Sequence, residues 1–120
     1  MTLDNEGAIK LIRFLYDIKK RPQLFLEQKS YTQLYYAILG FITGYFYASG
    51  YTAIEYLNNM GNDNIWNNFC DFYYNKYHIA INATSKIVGF FENEESAFDI
   101  FFIELSTFLK ENGIDEPHID

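Results

Sequence analysis

From Ser30 to Ile54 the chain carries no Asp, Glu, Lys or Arg for 25 consecutive residues. A run of that length leaves two options: a membrane span, or a helix built into a helical core. Lys19, Lys20, Arg21 and Lys29 precede it, as a cytoplasmic flank would. Yet Tyr31, Tyr35, Tyr36, Tyr45, Tyr47 and Tyr51 are spread through the run, with Gln33 and Thr43 between them. Tyrosines collect at membrane interfaces rather than through the hydrocarbon, and Gly50-Tyr51-Thr52 interrupts the helix before the run ends. The reading is a central buried helix, with no membrane partner.

The rest of the pattern is helical too. Asp4 or Asn5 caps a first helix whose apolar face is Ala8, Ile12 and Leu15, widened by Ile9, Leu11 and Ile18. Lys10, Arg13, Asp17 and Lys20 form its solvated stripe, with an Arg13–Asp17 pair. Arg21-Pro22 ends it, because the residue before proline is pushed out of the helical region. After a link over 23–29, Ser30-x-x-Gln33 reads as a capping box for the uncharged helix, which Gly50 closes. Ala37, Gly40, Gly44 and Ala48 make a small-residue stripe on it, an invitation to close backbone packing.

Thr52-x-x-Glu55 opens a short helix that Gly61 stops, and Asn62-Asp63-Asn64 offers caps for a helix carrying Ile65, Trp66, Phe69, Phe72, Tyr73 and Tyr77. Ile79 and Ile81 alternate like a short strand, and Asn82 or Thr84 could cap the brief apolar segment 87–91. Asn93 caps the last helix, with Glu94 and Glu95 in its first turn. Its inner face is Phe98, Phe101, Phe102, Leu105, Phe108 and Leu109, and Gly113 stops it. The tail 114–120 is expected to fray. No internal repeat is visible, and one domain over 1–120 suits the length. The expected architecture is all-α: a compact single-domain bundle of about five helices.

Composition narrows the function. Hydrophobic residues make up 49% of the chain and aromatics 20%, which supplies enough apolar area to fold and excludes intrinsic disorder. A formal charge of -7 disfavours nucleic acid and suits a basic protein partner. Residues 1–29 hold six basic and four acidic groups, whereas residues 81–120 hold Lys86 and Lys110 against nine acids. The acidic surplus is therefore a C-terminal feature. Glu92, Glu94 and Glu95 cluster at the entry to the last helix, with Asp99, Glu104 and Glu111 along it. Ile100 and Ile103 lie roughly opposite the phenylalanine face, and apolar residues bordered by acids suit a basic partner. Helix-dipole acids on a helix buried on two sides would give the same pattern.

Catalytic chemistry is not indicated. Cys70 could be a nucleophile only with a basic neighbour; His78, eight residues on, is the one candidate, and a buried thiol among Phe69, Phe72 and Tyr73 is the plainer reading. A lone cysteine also fits a reducing cytoplasm, and 1–6 carries two acids and no signal-peptide pattern. Asp63, Asn67 and Asp71, or Asp71, Asn75 and His78, fall at helical spacing without matching a known metal spacing. No phosphate-binding glycine loop or Gly-x-Ser-x-Gly elbow occurs, so neither metal nor cofactor is expected.

Two stretches carry a resemblance. Arg21-Pro22-Gln23-Leu24-Phe25-Leu26, followed by Ser30, Leu34 and Phe41-Ile42-Thr43-Gly44-Tyr45, matches an Arg-Pro turn leading into a helix that ends on aromatic-glycine-tyrosine. Glu94 to Phe102, with Leu105 and Phe108, matches an acidic, phenylalanine-rich closing helix, and Trp66-x-x-Phe69 with Tyr77 suits the helix between. Over residues 6–110 the chain resembles the small immunity proteins of bacterial polymorphic toxin and contact-dependent growth-inhibition systems. Gln23 stands where that pattern has glycine. The resemblance implies a cytoplasmic, non-enzymatic antitoxin that blocks the active site of its own system's toxin domain. Such toxins are often basic nucleases, including RNase A-like ribonucleases. The contact residues expected on that basis are Glu92, Glu94, Glu95, Asp99 and Glu104. A helical module that associates with a copy of itself, forming a homodimer, is the alternative.

Overall fold

The computed structural model describes residues 3–50 and 64–120, and there the chain is all-α, with no strand among the described residues. Six helices follow in order: α1 (Asn5–Lys20), α2 (Pro22–Phe25), α3 (Tyr31–Ala48), α4 (Ile65–Tyr77), α5 (Thr84–Phe90) and α6 (Glu94–Glu111). The short helix expected to start at Thr52 and stop at Gly61 lies outside the described residues.

The ends of the helices follow local chemistry. Asp4 accepts from the Gly7 amide at 2.7 Å, Asn64 from Asn67 at 2.8 Å and Asn93 from Ser96 at 2.8 Å, each satisfying an orphan N–H of the first turn. α6 ends in a Schellman motif. Ile114 N–H returns to the Leu109 carbonyl at 2.9 Å and Gly113 N–H to Lys110 at 3.1 Å, with Gly113 at φ +67°. Pro22 does more than end α1: with its missing N–H at the first helical position it opens the one-turn α2, where the sequence suggested a plain link.

α6 is the central post. Its inner face, Phe98, Phe101, Phe102, Leu105, Phe108 and Leu109, is buried as the spacing required, and α3, α4 and α5 all pack on it. Phe69 of α4 meets Phe101 edge-on at 5.4 Å and Phe108 at 5.6 Å, while Tyr31 of α3 lies 6.0 Å from Phe101. Offset and edge-to-face rings at these separations add to the area they bury. α1 closes the other side against α3 and α4 through Ala8, Leu11, Leu15 and Ile18.

Several local expectations give way. Ile9 is exposed rather than part of the core face, and Asp17 sits near Arg21 at 4.0 Å instead of pairing with Arg13. The Ile79–Ile81 segment is not a strand: it leads into a turn at 81–82, and no strand among the described residues is placed to pair with it. The Ile81 carbonyl instead accepts the buried Tyr31 hydroxyl at 2.6 Å. α5 starts after Ala83, capped by neither Asn82 nor Thr84. The uncharged helix is buried only through Tyr31, Leu34 and Ile38; its second half is largely open. A Cβ on Gly40 or Gly44 would meet nothing within 4 Å among the described residues, so the small-residue stripe makes no close packing with any of them. Among the described residues no helix is long and apolar enough to cross a membrane.

The tail is held rather than frayed. Its carbonyls and carboxylates find donors on α1: the Tyr16 hydroxyl donates to Glu116 at 2.8 Å, and the Lys20 ammonium donates to the Ile119 carbonyl. Ile114 and Ile119 also rest against the core.

Because Phe101 touches rings from α3, α4 and its own helix, Phe101→Ala should cost about 3–5 kcal/mol in urea denaturation. An unchanged midpoint would show that α6 is not the post on which the bundle rests.

Candidate functional site

The five acids singled out in the sequence have four different fates. Glu94 faces inward across a helix junction. Its carboxylate accepts from the Thr32 amide at 2.9 Å, the Thr32 hydroxyl at 2.8 Å and the Ser30 hydroxyl at 3.1 Å. One carboxylate in the first turn of α6 thus also caps the N-terminus of α3, where both helix dipoles favour negative charge. The capping box written into Ser30-x-x-Gln33 is only half made. Ser30 accepts from the Gln33 amide at 3.1 Å, while the Gln33 side chain accepts from Glu27 N–H instead. Burial pushes the Glu94 carboxyl up, but the bonds from Thr32 and Ser30 outweigh it and hold the group below its usual value.

Glu104 is further inside. Only 3% exposed, it lies 2.8 Å from the ammonium of Lys76, whose side chain is half in water. Expected as a contact residue, Glu104 is instead consumed by the α4–α6 packing. It follows Ile103 on the helix and falls beside Leu105 and Phe101 on the buried side, not on the outer stripe where spacing alone placed it.

Asp99 pairs with Lys29 at 3.4 Å, with both side chains about half exposed. A pair so open to water is worth about 0–1 kcal/mol, so a stronger cation could replace Lys29 at little cost. Glu92 and Glu95 are exposed, and neither side chain has an ion-pair or hydrogen-bond partner among the described residues. Glu92 holds φ at +79°, a left-handed backbone that glycine would adopt with less strain. It closes the turn between α5 and α6. Two residues before it, Phe90 is 58% exposed, its ring 4.9 Å from Phe91 and 6.0 Å from Tyr77.

Phe90, Glu92, Glu95 and Asp99 are therefore the exposed residues of this stretch, with Glu95 lining a depression beside Gln28 and Lys29. Phe90 was legible only as part of an apolar segment; nothing in the pattern 87–91 separates its exposed ring from the buried Ile87.

Burial, with Asp71 adding to it, pushes the Cys70 thiol up to about 12, so the thiolate is disfavoured at neutral pH. His78 is exposed, caps α4 in a left-handed conformation and sets its ring against Tyr74. Among the described residues no three His, Cys, Asp or Glu side chains converge as a metal site, and Asp63 lies outside those residues. No family model, curated protein or solved structure matches the chain.

The Glu94 junction has a pH signature. Its carboxyl titrates lower in the folded than in the unfolded chain, so its contribution is fully present above the ordinary value of 4.5 and is lost as pH falls through the folded value. At pH 7 Glu94→Gln should cost about 1–2 kcal/mol. The gap between the variant and the parent should close on acidification below that window. A gap independent of pH would mean that the charge on Glu94 contributes nothing.

Proposed function

We propose that this protein is an immunity protein that binds and neutralises the toxin domain of its own growth-inhibition system. The toxin is a basic nuclease, of which an RNase A-like ribonuclease is the favoured kind. The protein acts without catalysis and works in the cytoplasm. One observation carries the reading: Glu92 and Glu95, in the turn and first helical turn that follow the exposed Phe90, are exposed and have no ion-pair or hydrogen-bond partner among the described residues, at the acidic end of a chain of charge -7. The resemblance of 21–45 and 94–108 to immunity proteins supports it from the sequence side.

On this reading the mechanism is occlusion. Carboxylates of Glu92 and Glu95 take the positions that RNA phosphates would hold on the toxin, and long-range attraction between opposite surfaces speeds the encounter. Phe90 supplies what charges cannot, an apolar anchor to be desolvated at the centre of the contact. Asp99 joins by exchanging Lys29 for a cation of the toxin. Glu94 and Glu104 fall out of the contact set, because both are engaged inside the bundle. The strained backbone at Glu92 fits a side chain retained for an outward role, since such strain is otherwise relieved by glycine.

A second reading also has an observation behind it. Tyr36, Leu39 and Tyr47 of α3 are exposed on a helix without a charged residue, beside the open Gly40 and Gly44. An uncharged face is where two copies of an acidic chain could meet without repulsion, which would make the protein a self-associating helical module.

Two measurements decide. With the toxin domain encoded beside this gene, Glu92→Lys combined with Glu95→Lys should weaken binding at least about 100-fold at low salt and abolish protection. The parent's affinity should fall as salt rises; full protection by the double variant would sink the electrostatic interface. In sedimentation the isolated chain should run as a monomer, and a stable dimer without toxin would favour the second reading.

A further inference from the structure

Between α3 and α4 the surface opens into a cavity of about 440 Å³, within the range of sites that hold a side chain or small ligand. Ile38 and Trp66, both buried in the core, contribute to its lining, as do Tyr35 of α3 and Tyr74 of α4. Asp71, exposed on α4, is the one charged residue among its described lining residues. The depression along α1 is lined by Lys10, Arg13 and Arg21 together with Asp17 and Asp120, and the one along α6 by Lys19, Lys29 and Lys110 together with Asp99.

An aromatic cavity with a single carboxylate and no cation among its described lining residues selects a particular chemistry. Ring faces attract a cation, the carboxylate fixes its orientation, and the apolar lining takes a methylene stem. Arginine satisfies all three together. Its guanidinium is flat, weakly hydrated and able to stack on a ring while donating to a carboxylate, whereas a lysine ammonium keeps more of its water.

We propose that the cavity lined by Tyr35, Trp66, Asp71 and Tyr74 is an anchor site for an arginine side chain of a protein partner. The proposal rests on the basic-partner reading for the source of that arginine, but the site itself can be tested without any toxin. It adds a second point of contact, one that shares no lining residue with the Phe90–Glu92 turn, with an uncharged approach along α3.

Trp66 is the only tryptophan in the chain, so its fluorescence reports directly on the cavity. The full chain is titrated with acetyl-Gly-Arg-Gly-amide at constant ionic strength. The citrulline peptide, a neutral isostere, serves as the comparison. A saturable change in Trp66 emission is expected with the arginine peptide, weakened about tenfold by Asp71→Asn and about as much by the citrulline replacement. Asp71 is exposed, so the variant should fold, and far-ultraviolet circular dichroism verifies that it does. A non-saturating response, equal binding of the two peptides, or no effect of Asp71→Asn would overturn the site. If the arginine peptide binds as expected while Asp71→Asn leaves toxin affinity unchanged, the cavity is not part of the partner interface and the proposal fails there. Loss of toxin binding in the Glu92/Glu95 variant is read separately, so the two ideas can fail independently.

Discussion

The buried aromatic face of α6 is the constraint to which the other elements answer. A helix with Phe98, Phe101, Phe102 and Phe108 on one side cannot leave that side in water. The area is too large, and each phenylalanine is worth about 1.5–3 kcal/mol of burial. Three other helices therefore pack around it, and Phe69 and Tyr31 lodge among its rings. With α6 so enclosed, its polar residues divide. Those on the first turn and the outer side reach solvent or a neighbouring helix end, and Glu104, on the flank, is carried inside with its lysine.

That division reshapes the meaning of the chain's acidity. Nine acids lie in the last forty residues, yet the fold spends several of them internally. Glu94 ties the starts of α3 and α6 together, Glu104 answers Lys76, and Glu116 takes the Tyr16 hydroxyl. Hydrogen bonds from Ser106 and Tyr16 hold the Glu116 carboxyl below its usual value. Among the acids of the last helix's entry, Glu92 and Glu95 are the ones left exposed with no ion-pair or hydrogen-bond partner among the described residues, close in sequence to the exposed Phe90. A small patch with an aromatic anchor suits specific recognition better than a diffuse negative coat, because fields from spread charges are screened within about 10 Å at 0.1 M salt.

Helix identity was legible wherever a side chain acts on its own backbone. Asp4, Ser30, Asn64 and Asn93 cap as their types dictate, and Gly113 stops α6 because a left-handed residue is required there. The misreadings occur where a residue's partner is distant in sequence. Gln33 bonds to the Glu27 N–H rather than reaching back to Ser30, and it is Glu94, from the far end of the chain, that accepts from the Thr32 amide at the start of α3. Ile79 and Ile81 alternate, but a strand needs a neighbour, and Tyr31 claims the Ile81 carbonyl. The small-residue stripe on α3 suggested close packing; Gly7 is instead the tight glycine, where a Cβ would come 2.7 Å from the Tyr45 ring.

The sequence by itself determined that the chain is helical, where most helices start and stop, and that negative charge gathers toward its end. Each of these follows from interactions over three or four residues, or from a sum over residues, and neither depends on how the helices are arranged. Only the tertiary structure decided which acids face outward, that Phe90 is exposed while Ile87 is not, and that an aromatic cavity bordered by Asp71 opens between α3 and α4. Those outcomes depend on which helix sides meet. Helical spacing assigns a residue to a side of its own helix, but whether that side meets solvent is set by the neighbours that pack against it.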